Sequence, residues 1–256
     1  MPVTCLDGAI VAAEEAVVPV TDEGLLRGDG VFEVVRLYGG RPFALDEHLA
    51  RMQRSAHRLR LPLDVDAVRA DVDTLLAAAA PGDARLRILV TRGGRRILLV
   101  EEQTPTAPSI SLGFVEFAPP RILDGIKSLS YAGNMLATRL AQERGFDEAL
   151  LVTPHGRVLE GPTESFFYVL DGELWTPPLD DHILDSITRR HVIAVTGARE
   201  RITGRDDVRA MTEAFIASTT REVQAVHAIE DHELERGGPT TRDAARRLRE
   251  RIAESL

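Results

Sequence analysis

Lysine is all but missing from this chain: of 31 basic residues, Lys127 is the one lysine and the rest are arginine. Arginine fills almost any solvated or ion-pairing role, but its guanidinium stays protonated and cannot serve as a nucleophilic amine or base at neutral pH. A coding bias toward arginine, in a chain rich in Ala, Arg, Gly and Asp, leaves a lone lysine with no purpose. A reaction that needs an amine keeps one for it. Cysteine occurs once, as Cys5, which excludes an intrachain disulfide. The seven histidines are dispersed, no Cys or His spacing resembles a zinc site, and no metal is expected. No apolar run reaches the length of a bilayer and no signal-peptide pattern opens the chain, so the expectation is a cytoplasmic protein with no membrane association. Basic charge is also lacking. A net charge of -9 and a pI near 5.3 argue against nucleic acid as a partner and favour small-molecule chemistry.

The 256 residues, 44% hydrophobic and 28% charged, are enough for one large core or two modest ones. Residues 30–38 read as a strand, Gly39-Gly40 as a tight turn, and Asp46 as the N-cap of a helix carrying His48, Arg51 and Arg54. A helix is expected over 66–79, then a hairpin of 86–91 and 96–101 around Gly93-Gly94. The Thr-Pro-Thr-Ala-Pro stretch at 104–108 reads as a linker between a small N-terminal domain, 1–103, and a larger one, 109–256. In the larger part, strands are expected at 110–117, 148–152, 157–159, 165–170, 173–176 and 214–217. Helices are expected at 133–144, after Asp185-Ser186, and from about Thr241 to the end. The pattern is α+β.

Four further features share chemistry with the lysine. Glu160 lies at a strand end where the chain turns through Gly161-Pro162, a position that suits a carboxylate facing a cleft. The helix start at Ser186-Ile187-Thr188 has free amides and a dipole suited to phosphate. Ser218-Thr219-Thr220 offers hydroxyls after a buried strand, and Arg51 is able to clamp an anion through its planar fork.

Together these segments carry a resemblance. Arg27-Gly28-Asp29-Gly30-Val31-Phe32-Glu33, Glu47-His48-Leu49-Ala50-Arg51-Met52, Lys127-Ser128-Leu129, Gly145–Leu150, Leu159-Glu160-Gly161, Trp175–Pro178, Ile187-Thr188-Arg189 and Ser218–Val223 stand in the order of the fold-type IV pyridoxal-phosphate enzymes. The match to these class IV aminotransferases spans nearly the whole chain. The resemblance implies a small N-terminal α/β domain, a larger C-terminal α/β-barrel-like domain that binds pyridoxal 5'-phosphate, and a homodimer. It implies that Lys127 carries the cofactor as an internal Schiff base and moves the substrate proton, and that Glu160 keeps the pyridine nitrogen protonated. Arg51, the Ile187 and Thr188 amides, and Thr219 would hold the phosphate, with Thr163 beside the cofactor. The family usually has Ser and then Asn where this chain has Pro162, Glu164 and Ser165.

The resemblance also implies an amino donor and a 2-oxo acid as substrates, with D-amino acids the expected donors and (R)-amines a further class. D-amino-acid transaminases carry a tyrosine where this chain has Phe32, and a histidine after the Thr-Arg-Gly turn that is absent here. Arg27, Arg92, Arg95 or Arg96, with Thr220, are expected to hold the substrate carboxylate instead. Aminodeoxychorismate lyase is the alternative, resembling Leu129–Ala132, Asn134-Met135 and Glu160–Pro162; the Ser218–Val223 segment favours a transaminase. Branched-chain transaminases are usually longer, and a non-catalytic cofactor-binding protein would not need both Lys127 and Glu160.

Overall fold

The structure, a computed structural model, describes residues 3–256. They fall into two units. The first comprises 3–104 with the short segments 126–131 and 255–256; the second comprises 105–125 and 132–254.

In the first unit, β1 (Val3–Leu6), β2 (Ala9–Ala12), α1 (Glu23–Arg27), β3 (Gly30–Tyr38), β4 (Arg41–Pro42), α2 (Leu45–Arg58), α3 (Val65–Ala79), β5 (Ala84–Thr91) and β6 (Arg96–Glu102) follow in order. The strands form one antiparallel sheet, β2-β1-β6-β5-β3-β4. Both long helices bury an apolar face: Leu49 and Met52 from α2, Val68, Val72 and Leu75 from α3, packed with Cys5, Val35, Leu86, Ile88 and Leu98 of the sheet. Asp46 is not the N-cap of α2. Ala44 is, at φ 55 and without a side-chain cap, while Asp46 sits in the first turn. Starting two residues earlier brings Leu45 into helical register, and it packs against the core.

The second unit contains β7 (Ser109–Glu116), α4 (Ala132–Glu143), β8 (Glu148–Val152), β9 (Ser165–Leu170), β10 (Glu173–Thr176), α5 (Ile187–Thr196), β11 (Arg199–Glu200), β12 (Glu213–Ser218), β13 (Glu222–Ile229), β14 (His232–Glu233) and α6 (Pro239–Ser255). Its sheet runs β11-β10-β9-β12-β13-β7-β8, with β14 on β13. β8 and β9 are buried at every residue, as strands covered on both faces must be. The expected strand at 157–159 is instead a clasp. Val158 bridges Val152 of β8 on one side, while Arg157 bridges Gly204, just beyond β11, on the other. The two ends of the sheet are thus joined, which curls it toward a barrel. β13 had no counterpart in the sequence reading, because Gln224 and His227 interrupt its apolar run; its pairing with β12 and β7 makes it a strand.

Candidate active site

Lys127 belongs with the first unit, although it lies beyond the 104–108 break. Residues 126–131 return to the open side of β3: Phe32 N–H donates to the Lys127 carbonyl (3.2 Å), Leu129 N–H donates to the Gly30 carbonyl (2.9 Å), and Val31 bridges Ser128. Gly30 is required for this. A Cβ there would stand 2.5 Å from both the Leu129 side chain and the Val90 carbonyl. Lys127 is further fixed by its own N–H, which donates to the buried Ser55 hydroxyl at 3.2 Å. Its Nζ lies 4.4 Å from the centroid of the Phe32 ring and 5.4 Å from that of Tyr131. Those two rings meet edge to face at 5.1 Å and 83°. The amine is thus half-buried against two aromatic rings.

Beneath it lies a buried polar group centred on Glu33, which has no exposed surface. Glu33 accepts from Arg51 Nε and Nη2, both at 2.7 Å, and pairs with His48 Nδ1 at 2.7 Å. Burial would raise the Glu33 pKa, but Arg51 and His48 outweigh it and hold the carboxyl at about 2. Burial pushes His48 down, against the pull of Glu33, so the ring is neutral beside a carboxylate–guanidinium pair. Arg51 therefore meets Glu33 with its Nε–Nη2 edge, and an anion would have to be met by the Nη1–Nη2 end. Sequence reasoning passed over Glu33. The signal was a lone carboxylate inside Val31-Phe32-Glu33-Val34-Val35, followed by His48 and Arg51 three apart on one helix face.

The arginines expected to bind a substrate carboxylate are differently placed. Arg92 donates Nε to Asp29 and its other two nitrogens to the carbonyls of Leu59 and Arg60. Arg95 pairs with Asp7 and Arg96 with Asp71. Each would have to surrender a carboxylate in its own unit to take one from a substrate. Among the described residues, the 71% exposed Arg27 pairs with Glu23, one helical turn away, a contact worth about a few tenths of a kcal/mol. It is the expected arginine with least to give up.

In the second unit, Glu160 is half-buried at the end of the clasp, where its Oε1 accepts from the Leu184 amide at 3.0 Å. At the start of α5, the Ser186 hydroxyl accepts from the Arg189 amide, so the cap serves the third amide and not those of Ile187 and Thr188. Thr163 directs both its amide and its hydroxyl to the Glu164 carboxylate. Thr219 and Thr220 form the half-buried turn between β12 and β13. Glu164, Arg221 and Glu148, absent from the sequence reading of the site, form a buried charged group beneath these turns. Among the described residues no group of three or more His, Cys, Asp or Glu is placed to hold a metal, and no helix is long and apolar enough to cross a membrane.

Comparison with known proteins places these residues in context. Residues 30–229 match the family described as Amino-transferase class IV. A putative branched-chain-amino-acid aminotransferase of Methanocaldococcus jannaschii is 34% identical over 251 residues, 88% of this chain and 87% of that one. A D-alanine aminotransferase of Listeria monocytogenes is 32% identical over 260 residues, 91% and 90% of the two chains. Among solved structures, a fold IV-transaminase from Curtobacterium pusillum matches with a TM-score of 0.89 at 27% identity, covering 100% of this chain and 99% of that one.

Proposed function

Because this chain belongs to the class IV aminotransferase family, we propose that it is a pyridoxal-phosphate-dependent transaminase that moves an amino group from a D-amino acid, and from primary (R)-amines, to a 2-oxo acid. The observation that carries the reading is the placement of the chain's one lysine, its amine against the Phe32 and Tyr131 rings and its backbone tied to β3 and Ser55. The donor set fits the cofactor's chemistry. A primary amine suits its aldehyde, the Glu160 carboxylate its ring nitrogen, and the Arg51 guanidinium with a helix N-terminus and threonine hydroxyls its phosphate.

When bound, pyridoxal 5'-phosphate supplies an electron-accepting ring that draws charge from the substrate carbon as its proton leaves. Lys127 would hold the cofactor through Nζ and, once displaced by the incoming amine, carry the proton to and from the substrate carbon. The aromatic rings beside it keep water from that amine. Glu160, held by the Leu184 amide, would keep a proton on the ring nitrogen. The Ile187 and Thr188 amides, Thr219 and the Nη1–Nη2 end of Arg51 would hold the phosphate, and Thr163 would shape the turn beside the ring. Arg27 and Thr220 would take the substrate carboxylate, and Phe32 would offer an apolar wall.

The D-donor assignment is supported by the Listeria relative and by the Ser218–Val223 segment. The M. jannaschii relative favours a second reading, transfer from branched-chain L-amino acids. A homodimer in the cytoplasm completes the proposal, and the exposed Val17, Val20, Leu25 and Leu26 of the first unit supply apolar surface for a second copy. The test is a donor screen of the purified protein with D- and L-amino acids and (R)- and (S)-amines, following the cofactor spectrum, with aminodeoxychorismate assayed for pyruvate release. Conversion of D-alanine or D-glutamate is expected. Conversion of branched-chain L-donors alone, or pyruvate release without amino transfer, would decide for a relative's activity.

A further inference from the structure

Glu164 and Glu148 are buried carboxylates, with side chains 1% and 5% exposed, and one guanidinium serves both. Arg221 Nε meets Glu164 Oε1 at 3.1 Å, its Nη2 meets Glu148 Oε2 at 3.2 Å, and its Nη1 donates to Gln224 Oε1 at 2.9 Å. All three nitrogens are used. A buried carboxylate costs several kcal/mol unless paired and hydrogen-bonded, so this arrangement is not an incidental surface contact. Burial, with Glu164 alongside, pushes the Glu148 carboxyl above its usual range.

What the cluster joins gives it meaning. Glu164 grips the turn that follows Glu160: it accepts from the Thr163 amide at 3.1 Å and from the Thr163 hydroxyl, and its carbonyl accepts from the Gly161 amide at 2.8 Å. Its carboxylate lies so close under Gly161 that a Cβ there would stand 2.7 Å from Oε2. Arg221 closes the other turn, donating its own amide to the Ser218 hydroxyl at 3.3 Å across Thr219 and Thr220. Gln224, which holds Nη1, donates in turn to the Ala107 carbonyl at 2.7 Å. One side chain therefore ties the turn after Glu160 to the turn containing Thr219.

We propose that Arg221 is a positioning residue: through Glu164 it sets the spacing between the 160–163 turn and the 218–220 turn, and so the fit of a ligand that must engage both. The inference rests on the functional reading above, in which the first turn faces the ring of pyridoxal phosphate and the second its phosphate. A spacer matters most to a ligand gripped at both ends. It matters little to one gripped at a single end, because effective concentration arises only when both contacts form together.

The test is binding to the apo full-length chain of three probes, pyridoxal 5'-phosphate, pyridoxal and inorganic phosphate, for wild type, Arg221→Met, Arg221→Lys and Glu164→Gln. Arg221→Met is expected to weaken pyridoxal phosphate by about tenfold or more while changing pyridoxal and phosphate by no more than about twofold. Arg221→Lys keeps the charge but lacks the fork, and is expected to fall between. Glu164→Gln, which keeps the acceptor for Thr163, is expected to repeat the pattern more weakly and serves if Arg221→Met does not fold. An equal loss for all three probes would make Arg221 a structural support only, and unchanged pyridoxal phosphate affinity would remove the proposal. Wild type that binds no pyridoxal phosphate would overturn the functional reading itself.

Discussion

The buried Glu33 group makes a pH-dependent prediction whose size follows from the lowered pKa of its carboxyl. Glu33→Gln keeps the shape and an acceptor but removes the charge that Arg51 and His48 face. Glu33 titrates near 2 in the folded chain against a reference of 4.5, a lowered carboxylate pKa. The unfolded chain therefore binds more protons between those values, and the stability Glu33 supplies is full above pH 4.5 and lost as pH falls toward 2. That lowering corresponds to roughly 3 kcal/mol, in line with the roughly 3–5 kcal/mol cost of breaking a buried pair. The assay is urea unfolding of the apo protein at pH 7, 4 and 3, read as the gap between wild type and Glu33→Gln. Of the gap present at pH 7, about 1 kcal/mol should be gone at pH 4 and about 2 kcal/mol at pH 3. A gap that stays flat across this range would show that Glu33 is not the paired carboxylate described. His48 adds to the acid sensitivity of both proteins. Its pKa is lowered by burial and held up by Glu33, so its share is lost as pH falls below about 6.5 in both proteins and more so in Glu33→Gln; this opposes the narrowing of the gap, and repeating the comparison in a His48→Gln background removes it.

Two kinetic outcomes follow from the residue roles. Glu160→Gln should slow single-turnover proton abstraction by about a hundredfold or more while leaving cofactor retention nearly intact, since it removes charge where the ring nitrogen is met; wild-type half-reaction rates would end that assignment. Arg27→Ala should raise the apparent constant for D-alanine by about tenfold and leave a carboxylate-free (R)-amine nearly unchanged; equal effects on both donors would return Arg27 to its surface pair with Glu23.

Local signals located most of the elements, and tertiary pairing decided the rest. The apolar, β-branched run in 30–38, the Gly-Gly turn, the hairpin around Gly93-Gly94 and the Ser186 cap are properties of a few adjacent residues, and they fold as those residues dictate. The clasp at 157–159 and strand β13 depend on partners far along the chain. So does the return of 126–131 to β3. Its one local trace is Gly30, and the reason that glycine is needed, the Leu129 side chain, is invisible without the pairing. Within the site, Lys127 stands out because lysine is otherwise absent, whereas nothing in the sequence around the Thr91 turn shows that Arg92, Arg95 and Arg96 pair with Asp29, Asp7 and Asp71. Glu164 and Arg221 carry no role of their own in the sequence reading, because burial by distant elements leaves no mark on the residues themselves.

The central claim is that the amine of Lys127 carries the cofactor. Borohydride reduction of the wild-type protein loaded with pyridoxal 5'-phosphate, followed by peptide mapping, should find a single stable adduct on the peptide containing Gly125–Tyr131, and Lys127→Ala should yield none. An adduct mapped to any other peptide, or an adduct of undiminished yield in Lys127→Ala, would contradict the account.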